Sequence, residues 1–141
     1  MHFKIAGAVA AVFVFASGAA SAATLHFAAA LDGADEVPAN TTTGTGMVKA
    51  TLDTQTKAFD YTATYSGLTG PGLAAHFHGP AAPGSNGPPV VPVMKAASPI
   101  AGTATLTDAE IADLTAGKWY FNIHTTAHPG GEIRGQIHAA P

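Results

Sequence analysis

The chain contains no cysteine. That excludes disulfide staples and any thiolate-held metal site, so the domain must hold together by its core alone. Charge is also scarce: only 11% of the 141 residues are charged. No basic run occurs, which makes nucleic acid and anionic lipid poor partners on electrostatic grounds. No apolar stretch of membrane length follows residue 22. There is no G-x-S-x-G elbow, no P-loop and no dinucleotide fingerprint, so hydrolytic and nucleotide chemistry have no foothold. "LDGADE" has three carboxylates without the spacing of a calcium loop and reads as turn chemistry. Asp108 and Glu110 are explained by helix capping.

What is present begins with a leader. "MHFK" is a cationic start, "IAGAVAAVFVFASGAA" an apolar run too short to span a bilayer comfortably, and Ala20-Ser21-Ala22 a small-residue cleavage site. Residues 1–22 are therefore expected to be a signal peptide, and 23–141 the exported domain, periplasmic or secreted. An uncleaved anchor is the alternative. Losing Lys4 leaves five basic against nine acidic residues, so the formal charge moves from −3 to −4.

Gly and Pro together number 26, and they punctuate short alternating segments. Leu25, Phe27, Ala29 and Leu31 fall on one face of a strand, as do Val48, Ala50 and Leu52. Phe59, Tyr61, Ala63 and Tyr65 form the inward face of the next, completing a hairpin through "TQTK". Leu73, Ala75 and Phe77 are the apolar set of "LAAHFHG". "PAAPGSNGPP" is a loop, and "VVPVM" a short edge strand. "LTDAEIADLTAGK" is the single helix, with a Thr107–Glu110 capping box and Gly117 as its stop. Trp119, Phe121, Ile123, Ile133 and Ile137 point inward from the last two strands. The expected fold is all-β: a Greek-key or immunoglobulin-like β-sandwich of seven or so strands with one short helix.

The same alternation expels the histidines. If Phe77 is in the core, His76 and His78 leave it on one side, with Cβ atoms roughly 6.5–7 Å apart. Two imidazoles can close that gap on one ion through bonds of about 2 Å. His124 has the matching phase in "KWYFNIHT", and so does Arg134 in "GEIRGQIH", together with Glu132, Gln136 and His138. These residues share one surface if their strands are neighbours. His128, in "TTAHPGG", lies in the connecting loop and can swing over that surface. The candidate metal ligands are therefore His76, His78, His124 and His128. Asn122 and Tyr120 occupy the same face, where they are expected as exposed polar residues, with orientation of the imidazoles as the alternative. His26 is read as structural and His138 as a surface residue, while His2 leaves with the leader. An all-imidazole set suits copper first and zinc second.

"AHFHGPA", "GSNGPPVV" and "YFNIHTTAHPGGEIRGQI", with "LDGADEVPAN" near the start, resemble the CHRD domain, named after chordin and common in secreted bacterial proteins. The likeness covers essentially the whole mature chain and implies an exported β-domain, without implying an activity. A more distant resemblance is to the copper/zinc superoxide dismutases. His76 and His78 look like that family's His-x-His pair, His124 like its late ligand, and Arg134 like the arginine that draws in the anion. The 79–92 loop holds no His or Asp, so the bridging histidine and the zinc ligands have no counterpart. The resemblance then implies a copper-only site, with Arg134 as the catalytic residue and His128 as a further contact.

Three functions follow. The first is a copper enzyme consuming superoxide, the second a copper-binding or buffering protein without turnover, and the third a metal-free binding module. An arginine at 134 that merely pairs with Glu132 or bonds to the "HPGG" loop is the structural alternative to its catalytic role.

Overall fold

The computed structural model describes Gly18 and residues 21–141. The leader expected over 1–22 thus lies, apart from Gly18, Ser21 and Ala22, outside the described residues. Nine strands and one helix follow: β1 Thr24–Leu31, β2 Thr45–Asp53, β3 Ala58–Ser66, β4 Ala74–His78, β5 Pro89–Pro92, β6 Ile100–Thr105, α1 Asp108–Thr115, β7 Tyr120–His124, β8 Ile133–Gln136 and β9 His138–Ala139. They form two antiparallel sheets, ordered β6-β3-β2-β1-β9 and β5-β4-β7-β8. Among the described residues no helix is long and apolar enough to cross a membrane.

The core lies between the sheets, as the period-2 patterns require. Val48, Leu52, Phe59, Phe77, Trp119, Phe121, Ile123 and Ile133 are completely buried. Phe77 from the second sheet meets Phe59 edge-on at 5.2 Å and Tyr61 at 5.0 Å, and it lies 4.7 Å from Phe121. Such tilted and edge-on pairs suit the ring quadrupoles. The helix starts on the expected box: the Thr107 hydroxyl accepts from the Glu110 N–H at 3.2 Å, and the Glu110 carboxylate accepts from the Thr107 N–H at 2.7 Å. Gly117, at φ +71°, ends it in the left-handed region.

Two features depart from the sequence reading. Leu73 is 63% exposed, because β4 begins only at Ala74. β6 is an additional strand on the edge of the first sheet, pairing Tyr61 with Gly102. Its inward set is Ile100, Gly102 and Ala104, too small to announce a strand. Gly102 must be small because the Tyr61 ring occupies the space a Cβ would take.

Strand adjacency decides the fate of the outward face. β4 pairs with β7, placing His76 opposite Asn122, His78 opposite Tyr120 and Ala74 opposite His124. β7 pairs with β8, placing Asn122 opposite Arg134 and Tyr120 opposite Gln136. The strands carrying the histidines are therefore neighbours, and all these side chains leave the same side of one sheet.

That side is only partly open to solvent. The 32–44 connection folds across the β8 end, where Asp32 forms a bridge with Arg134 and the Asn40 side-chain amide donates to the Glu132 carbonyl at 2.9 Å. The 79–88 loop covers the middle, where Gln136 Nε2 donates to the Ala81 and Gly117 carbonyls. Glu132, Arg134, Tyr120 and Asn122 point away from the sandwich core as expected, yet each is at most 3% exposed. Parity sets which way a side chain leaves a strand; it does not say what packs over it afterwards.

Candidate metal centre

His76, His78 and His124 remain half-buried at the uncovered end of this face. Each offers a ring nitrogen, and these three atoms lie within 4.8 Å of one another. His76 Nδ1 and His124 Nε2 are 3.2 Å apart. Two nitrogens bonded to one ion at about 2.0–2.1 Å with a tetrahedral angle would be separated by about 3.3 Å, so this spacing fits a shared cation.

The ring protons are assigned by their partners. A carbonyl can only accept, so His78 Nδ1 carries its proton to the Gly87 carbonyl at 2.9 Å. His124 Nδ1 likewise donates to the Pro129 carbonyl at 2.9 Å. In both rings Nε2 is left as the lone-pair atom. Metal-binding imidazoles are held in this way, the far N–H tied to backbone and the near nitrogen aimed at the ion. His76 faces His124 through Nδ1. It donates that proton to His124 Nε2, or presents a lone pair when the proton sits on its other nitrogen.

Electrostatics keeps the group receptive. Burial, followed by the neighbouring His124 and His78, lowers the pKa of His76 below the usual imidazole value. Burial is also the main cause lowering that of His78, with the Gly87 carbonyl opposing. Both rings therefore stay neutral, with lone pairs available, further into the acid range than an exposed histidine.

The surroundings of His78 come from three residues. Tyr120 lies flat against it, ring centroids 4.7 Å apart and planes 2° from parallel. The Tyr120 hydroxyl donates to the Gly87 carbonyl at 3.3 Å and accepts from the Gly87 N–H at 3.2 Å. Arg134 stacks on the other part of this assembly, its guanidinium 3.4 Å from the Tyr120 ring centroid. Arg134 donates to the Ser85 carbonyl at 2.7 Å and to Asn86 Oδ1 at 3.0 Å. It thus clamps the loop whose Gly87 carbonyl sets the tautomer of His78. Arg134 was expected as an accessible anion guide; it is 1% exposed, with both terminal nitrogens engaged. Its partners are in the 79–88 loop, and neither Glu132 nor the "HPGG" loop is among them.

His128 is not brought into the group. It lines a shallow cleft with Val37, Pro38, Asn40 and Gly131. Its backbone closes the loop instead: the His128 carbonyl accepts from the Thr125 and Gly131 N–H groups. Tyr120 and Asn122, expected as exposed, are 2% and 3% exposed because the loops cover them.

Two buried carboxyls went unread as site residues. Glu132, fully buried, accepts from the Thr42 and Thr125 hydroxyls at 2.6 Å, and from Thr69 through its hydroxyl at 2.7 Å and its N–H at 2.8 Å. Burial alone would raise its pKa, but these donors overcome it and hold the carboxyl at about 2. Glu36, 4% exposed, lies beside Asn122 and Arg134. Burial lifts it to about 7, against the opposing Arg134 charge, the Asn122 side chain and the Val37 backbone. The turn reading holds for Asp32, which accepts from the Asp35 N–H at 3.0 Å; one residue further on, the same turn sends Glu36 inward.

These two shifts have opposite signs. The Glu132 pKa falls on folding, so its stabilisation is complete above about pH 4.5 and is lost as pH drops toward about 2. The Glu36 pKa rises on folding, so its contribution is complete below about pH 4.5 and is lost as pH climbs through about 7. Urea unfolding from pH 2.5 to 8 is expected to show weakening on both sides of an optimum near pH 4.5–5. Glu132→Gln is expected to flatten the acid limb and Glu36→Gln the neutral limb; limbs unchanged by both variants would contradict these assignments.

An antiparallel β-sandwich carrying three clustered imidazoles on the outer face of its smaller sheet is the class defined by fold and site. The CHRD domain profile matches residues 27–137, and the chain belongs to the CHRD domain family. No curated protein and no solved structure was found to match it.

Proposed function

We propose that this is an exported copper-binding CHRD domain protein that consumes superoxide at a copper ion held by His76, His78 and His124, with zinc as the second choice of ion. The observation carrying the metal reading is the convergence of three imidazole nitrogens within 4.8 Å, two of them with the opposite nitrogen tied to a backbone carbonyl. Imidazole sets bind Cu²⁺ more tightly than other first-row divalent ions. Bound copper would supply one-electron exchange, which conversion of two superoxide anions and two protons into dioxygen and hydrogen peroxide requires.

The chain's own contribution is positioning. Gly87 and Pro129 hold the rings of His78 and His124 with Nε2 presented, and Tyr120 backs His78 as a flat wall. Arg134 keeps the Gly87 loop in place and adds a positive charge beneath the surface that anions approach. The half-buried rings leave one side open to a small anion. No role for nucleic acid or a membrane enters this reading.

A second reading, copper binding without turnover, is favoured by one observation. Arg134 is 1% exposed, with both terminal nitrogens bonded to the 79–88 loop, so its guanidinium is shielded from an incoming anion.

The experiment is to express the protein with its leader and recover the exported form, expected to begin at Ala23. It is then loaded with copper, and superoxide decay is compared with free copper and with a loaded His124→Ala variant. Decay faster than both supports the enzyme. Tight copper binding with decay no faster than the variant supports the buffer, and no binding tighter than ~10⁻⁴ M leaves the metal-free module.

A further inference from the structure

Asn122 stands opposite His76 on one side and Arg134 on the other, at the centre of the outward face. Its side chain lies beside both the His78 imidazole and the Glu36 carboxyl. Gly131 makes room for this meeting: a Cβ there would collide with Glu36 Oε1 and come within 2.7 Å of Asn122 Nδ2. The amide nitrogen therefore sits on the Glu36 side, near Glu36 Oε1, which makes no hydrogen bond of its own among the described residues. The amide oxygen is then turned the other way, toward His78.

That orientation creates a mismatch. His78 gives its proton to the Gly87 carbonyl, so its Nε2 is an acceptor, and Asn122 Oδ1 is one too. Both atoms are buried, and among the described residues neither has a hydrogen-bond partner. An unpaired buried acceptor costs on the order of 1–3 kcal/mol, and native structures seldom leave two together. A cation removes the mismatch, because it takes lone pairs from both. Neutral amide oxygens are competent, if weak, donors to such ions.

We propose that Asn122 Oδ1 is the oxygen donor of the His76–His78–His124 site, and that Glu36 is the positioning residue that turns the Asn122 amide toward the ion. This rests on the metal reading above and deepens it. A site of three imidazoles and one amide oxygen accommodates Cu²⁺ or Zn²⁺ without calling on His128.

Two measurements test it. In the unmutated ¹⁵N-labelled protein titrated with Zn²⁺, the Asn122 side-chain amide resonance is expected to shift in step with the three imidazoles. In copper competition against a chelator, Asn122→Leu is expected to lower affinity about 10–100-fold and to change the cupric hyperfine splitting. Glu36→Leu should reproduce the spectral change, whereas Glu36→Gln, which keeps an oxygen acceptor for the amide, should restore the parent spectrum. If Asn122→Leu does not fold, the zinc titration decides. Tight metal binding with a stationary Asn122 resonance, or a variant spectrum identical to the parent, overturns this assignment and leaves the three-histidine site standing. Failure of the unmutated protein to bind either ion overturns both.

Discussion

His78→Ala is expected to lower affinity for Cu²⁺ by more than about 100-fold, beyond the 10–100-fold typical for losing a group that merely supports a ligand. His78 is the ligand the protein prepares most thoroughly. Its Nδ1 is held by Gly87, its face is covered by Tyr120, and its Nε2 is a buried lone-pair atom with no hydrogen-bond partner among the described residues. Removing it leaves two imidazoles and one weak amide oxygen, too few strong donors to hold the ion tightly. The fold should hardly notice: the side chain is half-buried on the outward face, and its loss opens no cavity in the Phe77–Trp119 core. A change in unfolding free energy of about 1 kcal/mol or less is expected for the metal-free protein. With copper at a hundred times the parent's dissociation constant, the parent gains about 2.7 kcal/mol, and the variant should gain less than about 0.4 kcal/mol. Thermal melts with and without copper, beside a chelator competition, read both effects. His128→Ala is the control and should bind as the parent does. A His78→Ala protein with parental affinity would move the site elsewhere.

Arg134→Ala is expected to destabilise the protein by about 2–4 kcal/mol, the range for emptying a large, fully enclosed site. The guanidinium is sandwiched between the Tyr120 ring and the 79–88 loop, with only 1% of the residue exposed. Its removal leaves the Ser85 carbonyl and Asn86 Oδ1 without their donors and frees the loop that carries the Gly87 carbonyl. Copper affinity should fall as well, since the His78 tautomer is then less firmly held. Arg134→Lys should recover only part of the stability, because an ammonium cannot bond Ser85 and Asn86 at once while stacking on a ring. The Arg134 charge also holds down the Glu36 pKa, so Arg134→Ala should raise it further. Urea unfolding and Glu36 titration by NMR measure these outcomes. A variant within about 0.5 kcal/mol of the parent that loses only its superoxide rate would return Arg134 to the anion-guiding role its sequence position implies.

The histidine cluster was readable because strand parity is a local rule. Phe77 between His76 and His78, and Ile123 beside His124, send three rings out of the core whatever the topology. The capping box of α1 and the inward sets of β1, β2 and β3 were readable for the same reason. β6 escaped notice because Gly102 and Ala104 carry too little apolar surface to mark an alternation, and what requires a glycine at 102 is Tyr61, some forty positions away in sequence. Glu36 escaped because an acidic residue in a turn is ordinarily solvated, and nothing near it in the sequence signals Asn122 or Arg134.

By itself, then, the amino-acid order determined the class of fold, the direction in which the residues of the strands it marked leave their sheets, and the outward phase of His76, His78 and His124. Only the tertiary structure decided that β4, β7 and β8 stand side by side, that His128 belongs to a neighbouring cleft, and that Arg134, Glu132 and Asn122 lie beneath two loops. The division has one physical source. Side-chain direction follows from the chirality and pleat of a few consecutive residues, whereas burial, protonation and coordination depend on what distant segments bring into contact.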